Sequence, residues 1–436
     1  MAPPLASEGL PEPQALSSAA AFHELFEVPV VESGPRMPSE DRCELRVSLL
    51  QEELDELKDA IATGDLVESA DALADLQYVL SGAVLEFGLH RRFKAVFDEV
   101  QRSNMSKACA TLEEAEATVA HYKATMGVEA EIHGSAAAGG KFLVKRLPDG
   151  KVLKSVRYSP AQLRRFVEAD SGTADEAPPL ASEGVPEPQA LSSVAAFHEM
   201  FEVPVVKSGP RMPSEDRCKL RVSLLQEELD ELKDAIATGD LVESADALAD
   251  LQYVLSGTVL EFGLHRRFKA VFDEVQRSNM SKACATLEEA EATVAHYKAT
   301  KGVEAEIHES ATAGGKFLVK RLPDGKVLKS VRYSPAQLRH FVEADSGTAD
   351  QAPAPTTPNS KAKAPPVTPE KSTAFSSARA RRYTNNTSNN NSNNSNNSNK
   401  NNNDNKNNNS NALAAVSDKP AFQTTSVSYC PLCGRH

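Results

Sequence analysis

The sequence predicts an all-α fold built twice in one chain, each copy a helical bundle ending in a small β-hairpin. Three observations carry this. Residues 2–176 recur as 177–351 without a gap at an offset of 175, with eleven differences. Each copy holds five stretches with helical apolar periodicity, bounded by start and stop signals. Near its end each copy switches to alternation, the mark of strands. A repeat of this length far exceeds a solenoid unit, so each copy is a domain or half of an obligate pair.

The first helix is expected in "PQALSSAAAFHELFEV", where Leu16, Ala20, Phe22 and Phe26 fall near helical spacing and Ser17 or Ser18 can cap. "PSEDRCELRVSLLQEELDELKDAIATGD" opens with a Pro-Ser start and runs to Gly64. The third helix runs from about Leu66 to Phe87 and stops at Gly88. "RRFKAVFDEVQRSNMSK" and "TLEEAEATVAHYKATM" supply the fourth and fifth. "KFLVKRLPDGKVLKSVRY" then alternates on both sides of Pro148-Asp149-Gly150, a hairpin signal, and "SPAQLRRFVE" starts a short final helix.

These elements set the boundaries: 1–175 for the first copy (core about 14–107, hairpin appendage about 128–168) and 176–350 for the second (core about 189–282, appendage about 303–343). From 351 to 436 the composition turns to Pro and Thr, then to an Asn/Ser tract, which predicts a disordered tail. Its closing "YCPLCGRH" places Cys430, Cys433 and His436 at the spacing of half a zinc knuckle. A closed site needs four ligands and no second pair follows, so a loose dithiol is the better reading.

At 436 residues and 40% apolar, the chain can hold two or three cores. Net charge is −13, divided as +7 from residue 352 onward and −20 before it. An acidic body attracts metal cations rather than nucleic acid, so no specific nucleic-acid partner is expected. Six cysteines are too sparse for a disulfide framework and point to a reducing, cytoplasmic compartment. No apolar run of 18 residues occurs, so no membrane span is expected, and the first residues lack the pattern of a cleaved targeting peptide.

Carboxylates are the chemistry-bearing feature. On the second helix Glu52, Glu53 and Glu56 share one arc of the wheel; alone, this reads first as a solvated face. On the third, Glu68, Asp71 and Asp75 form a stripe within a helix that is apolar nearly all round and therefore buried. Unpaired buried carboxylates cost about several kcal/mol each. They call for a Lys or Arg partner such as Lys58 or Arg46, for protonation, or for a bound Mg²⁺, which satisfies more oxygens at once. Across a turn at Thr63-Gly64, Glu56 stands level with Asp71 and Glu53 with Asp75, so the stripes can face one another. Asn104 and Lys107 end the fourth helix on one face, suited to phosphate or a sugar hydroxyl, or simply to the helix dipole. Phe22, His23 and Phe26 could pack over a base, but a Phe pair at i and i+4 is more often core, with His23 on the surface.

"EELDE" (Glu52, Glu53, Glu56) followed by "ESAD" (Glu68, Asp71) resembles the EExxE and ExxD pair of the all-α nucleoside triphosphate pyrophosphatases, the MazG-like and phosphoribosyl-ATP pyrophosphohydrolase-like group. With "FHELF", "ADALADLQYVLSG", "RSNMSK" and "DGKVLKSVRYSP", it resembles a MazG-like subgroup often labelled Cof-like, over about 20–168 and 195–343. The haloacid-dehalogenase signature of that label is absent.

The resemblance implies a four-helix-bundle-like MazG-type core in each repeat and hydrolysis of a nucleoside triphosphate to monophosphate and pyrophosphate with Mg²⁺ or Mn²⁺. It implies metal ligation by Glu52, Glu53, Glu56, Glu68, Asp71 and Asp75, and by Glu227, Glu228, Glu231, Glu243, Asp246 and Asp250, with Asp71 or Asp75 as the principal aspartate. Glu53, Glu56, Glu228 and Glu231 become candidate catalytic groups; Asn104, Lys107, Asn279 and Lys282 become candidate phosphate or sugar contacts. Since the family pairs helical hairpins, the repeats are expected to form an intramolecular pseudo-dimer or a homo-oligomer. The competing readings are a non-catalytic Mg²⁺-nucleotide-binding module and a helical interaction scaffold.

Overall fold

The computed structural model describes residues 9–134, 140–147, 150–168, 184–310, 314–322 and 325–343. The tail, including Cys430, Cys433 and His436, and the turn residues Pro148 and Asp149 lie outside them. The first repeat contains α1 (Ala15–Leu25), α2 (Glu40–Thr63), α3 (Leu66–Glu86), α4 (Phe93–Met105), α5 (Leu112–Met126), β1 (Ala130–Gly134), β2 (Phe142–Arg146) and α6 (Arg164–Val167). The second contains α7 (Ala190–Met200), α8 (Glu215–Thr238), α9 (Leu241–Glu261), α10 (Phe268–Met280), α11 (Leu287–Lys301), β3 (Ala305–Glu309), β4 (Phe317–Arg321) and α12 (Arg339–Val342). Among the described residues no helix is long and apolar enough to cross a membrane, and Cys43, Cys109, Cys218 and Cys284 are free and buried.

The α2–α3 hairpin forms where the sequence places it. Gly64 adopts φ 71°, a left-handed conformation that only glycine takes cheaply, and Asp65 caps α3 by accepting from Val67 N (2.9 Å) and Glu68 N (3.1 Å). From Ala72 to Glu86 every α3 residue but Asp75 is buried. Such a helix needs partners on all sides. It finds α1 and α2 in its own repeat, and α9, α10 and α12 in the other.

The two repeats therefore share one core, with a pseudo-twofold axis through it. Gln77 and Gln252 exchange amide hydrogen bonds at 2.7 Å in both directions, and Gln51 and Gln226 do so at 3.1 Å. Each residue pairs with its own counterpart 175 positions on, which happens only at the axis of an isologous contact.

Two expectations change here. The first helix begins at Ala15, before Ser17 and Ser18, with no side-chain cap from its own N-cap residue. Its free N–H groups are met from the other repeat: Glu187 accepts from Leu16 N (3.1 Å) and Ser17 N (2.8 Å), while Glu12 does the same for Leu191 and Ser192. A carboxylate is a better acceptor at a helix N-terminus than a hydroxyl, and it favours the dipole.

The hairpin is also shifted. β2 pairs with β1, in the register Ile132↔Val144, while the strand expected after Gly150 is reduced to a single bridge, Lys145↔Val152. That segment turns away to meet α4, with Ser155 N donating to Lys107 O at 3.2 Å.

Candidate active site

Helix periodicity and the hairpin turn bring the carboxylates of α2 and α3 together. Glu53 is buried, Glu56, Asp71 and Asp75 are half-buried, Glu52 is half-buried and Glu68 is exposed at the rim. Burial pushes the Glu53 carboxyl far above its ordinary range, and the nearby charges of Asp75, Glu56, Glu52 and Asp71 push it further. Asp71 is raised by burial and by Asp75, Glu68 and Glu56; Glu56 is raised by burial and then by Asp75. All six carboxylates are thus within electrostatic reach as one cluster, as the equal distances from the turn require.

The cation facing this cluster comes from the other repeat. Burial raises Asp75, and the Lys282 ammonium opposes that rise. Lys282 is drawn down to about 8 by burial, against the attraction of Asp75 and Glu53 and alongside the repulsion of Lys329 and Lys326. It donates to Asn279 Oδ1 at 2.7 Å, so the pair that ends α10 is presented together. Tyr78, one turn beyond Asp75 on α3, anchors α10 by donating to Gln276 at 2.5 Å.

The second site mirrors the first. Tyr253 donates to Gln101 at 2.5 Å and hydrogen-bonds Asn104, and it lies within reach of Asp250. Lys107, buried and donating to Asn104 Oδ1 at 2.9 Å, takes the place of Lys282. Asp75 and Glu53 thus face Lys282 of the other repeat, and in the second site Asp250 lies near Tyr253, which Asn104 of the other repeat bonds.

Two sequence readings are corrected by this geometry, and the core reading of Phe22 and Phe26 holds. Lys58 binds Asp55 and Gln226, and Arg46 binds Glu86 at the far end of α3, so neither neutralises the cluster. His23 is a buried member of the Arg46 network: its Nδ1 donates to the Pro29 carbonyl (3.0 Å) and its Nε2 accepts from Arg46 (3.2 Å). Phe22 and Phe26 stack at 4.2 Å and pack, with Leu25, on Met280, Ala283 and Leu318 of the other repeat.

Lys326, Lys329 and the Tyr78/Tyr253 anchors were not legible as site residues in the sequence. The "DGKVLK" lysines were the available signal for the first two.

The donor set is hard oxygen, which suits Mg²⁺ or Mn²⁺, and its mutual repulsion is what a divalent cation relieves. Among the described residues, however, no group of three or more His, Cys, Asp or Glu side chains is placed so that it could hold a metal ion as it stands.

Residues 19–104 and 194–279 each match the family model described as phosphoribosyl-ATP pyrophosphohydrolase, a family of hydrolases. An alignment over 110 residues, covering 23% of the chain, is 33% identical to an uncharacterized protein of Acanthamoeba polyphaga mimivirus. That alignment spans 43% of the relative's length. No solved structure matches. Two tandem regions of the chain are thus similar to the phosphoribosyl-ATP pyrophosphohydrolase family, consistent with two copies of an all-α domain of the MazG-like kind.

Proposed function

We propose that the protein is a nucleoside triphosphate pyrophosphohydrolase that converts an NTP or dNTP and water to the monophosphate and pyrophosphate. The observation that carries this is a half-buried carboxylate cluster facing a lysine that is bonded to an asparagine, in a region similar to a pyrophosphohydrolase family. Mg²⁺ or Mn²⁺ would be held by Glu52, Glu53, Glu56, Glu68, Asp71 and Asp75 and by their counterparts, and would supply charge neutralisation and a more acidic water.

The chain's own groups do the rest. Water attacks the α-phosphorus, the bond to the bridging oxygen of the β-phosphate breaks, and a carboxylate beside the water, Glu53 or Glu56, accepts its proton. Lys282 or Lys107 meets the phosphate charge from the opposite wall, and Asn279 or Asn104 is placed to bond a phosphate or sugar oxygen. Because each site draws on both repeats, the functional unit is the intramolecular pair.

The test is a panel of NTPs and dNTPs incubated with Mg²⁺ and scored for monophosphate and pyrophosphate. Pyrophosphate release is expected, and Asp71→Asn with Asp246→Asn should abolish it. A folded protein that turns over none of the panel leaves only a binding module.

A further inference from the structure

The family model ends at residues 104 and 279, before the hairpins. Beyond that point, between α5, β2 and the segment after Gly150, lies a cavity of about 180 Å³. A single water needs only about 10–15 Å³ by the same kind of measure. Among the described residues, Lys107, Arg146, Lys151 and Lys154 line it beside Tyr122 and Met126, and none of the described lining residues is a carboxylate. In a body of net charge −20, four cations around one cavity are a selective feature.

The cavity is also built. Arg146 N donates to Lys151 O and Leu153 N to Val144 O, both at 2.7 Å, fixing the segment against β2. The Tyr122 hydroxyl pairs with the Lys154 backbone. The Lys154 ammonium sits 4.5 Å from the Tyr158 ring, and Ser155 N ties the segment to Lys107 O.

We propose that this cavity, and its counterpart around Lys282, Lys326 and Lys329, is a subsite for the pyrophosphate portion of the substrate. The proposal rests on the hydrolase reading above. Lys107 and Lys282 each belong to both places: Lys282 lies within electrostatic reach of Asp75 and Glu53 on one side and of Lys326 and Lys329 on the other. A phosphate chain whose α-phosphate meets the carboxylate cleft therefore extends its β- and γ-phosphates toward the lysines. Negative charge develops on that leaving group as the α–β bond breaks, so cations fixed there act on the transition state as well as on binding. The hairpin thus supplies a phosphate site that the matched core lacks.

The test uses the full chain and inorganic pyrophosphate as probe, by calorimetry with and without Mg²⁺, alongside NTP turnover. The variant is Lys151→Ala/Lys154→Ala/Lys326→Ala/Lys329→Ala, with the four Lys→Arg changes as the charge-preserving control. The alanine variant should keep the wild-type melting temperature yet bind pyrophosphate about tenfold or more weakly. Its inhibition by pyrophosphate should weaken in parallel, and the arginine variant should restore both. Unchanged pyrophosphate affinity in the folded alanine variant overturns the subsite even if NTPs are hydrolysed. Lysine-dependent pyrophosphate binding without turnover of any NTP leaves the subsite and removes the hydrolase reading. If the alanine variant does not fold, the arginine variant with Arg146→Ala and Arg321→Ala carries the same comparison.

Discussion

The two ends of α3 both bury carboxylates, and they resolve the problem in opposite ways. At the C-terminal end Glu86 is 1% exposed. It accepts from Arg42 Nε and Arg46 Nε at 2.8 Å each, with further bonds from both guanidinium groups. Burial pushes Glu86 up, but the arginines outweigh it and hold the carboxyl below its ordinary range. Gly82 makes room: a Cβ there would lie 2.6 Å from Arg46 Nη1. At the N-terminal end Asp71, Asp75 and Glu53 face one another, their carboxyls held above the ordinary range, with a lysine of the other repeat as the facing cation. A buried carboxylate met by two arginines is structural. A cluster of them sharing one lysine keeps its mutual repulsion, and on that repulsion the proposed role of a further cation rests.

The sharpest way to break this contrast is at the structural end. Glu86→Ala with Glu261→Ala strands Arg46 and Arg221 as buried charges, and each site should lose about 3–5 kcal/mol, measured by urea unfolding. Mg²⁺ should not restore it. An unfolding midpoint near wild type would make the two ends alike.

At the cleft the sign reverses. Glu53→Gln with Glu228→Gln removes repulsion, so the metal-free protein should melt at an equal or higher temperature while pyrophosphate release falls by about 100-fold or more. A variant that loses stability and activity together would show that the cleft is built for packing.

The smallest effect is the pH dependence of stability without metal. Glu53, Asp71 and Asp75 have raised carboxyls, so their contribution is fully present below the ordinary carboxylate range near about 4 and is lost as pH rises through the folded values. Glu86 is lowered, so its contribution is present above that range and lost as pH falls. His23, drawn down to about 4 by burial and Arg46, is likewise lost on the acid side. Thermal melts should therefore decline at both extremes, and Mg²⁺ should flatten only the alkaline limb.

Much of this was legible in the chain. The helix boundaries, the Gly64 turn and the approach of Glu53 to Asp75 follow from local periodicity, which each hairpin carries within its own two helices. His23 was misread because a histidine beside phenylalanines gives no sign of an arginine 23 positions away. The cap on α1 was misassigned because serines stood nearby while the real acceptor, Glu187, lies in the other repeat. The lysines of the hairpin gave only composition until β2 brought them beside the end of α4.

By itself, then, the sequence determined the duplication, the helices, the buried carboxylate stripe and the resemblance that its motifs carry. Periodicity and turn chemistry act over a few residues, and the repeat is visible by simple comparison. Only the tertiary structure decided that α3 is enclosed by helices of both repeats, that Glu86 rather than Asp75 receives Arg46, and that each acidic cleft meets the lysine of the opposite copy. The physical reason is that a helix apolar on every face cannot be covered by its own repeat alone. Burying it draws the copies together about a twofold axis, and that pairing sets which charges meet.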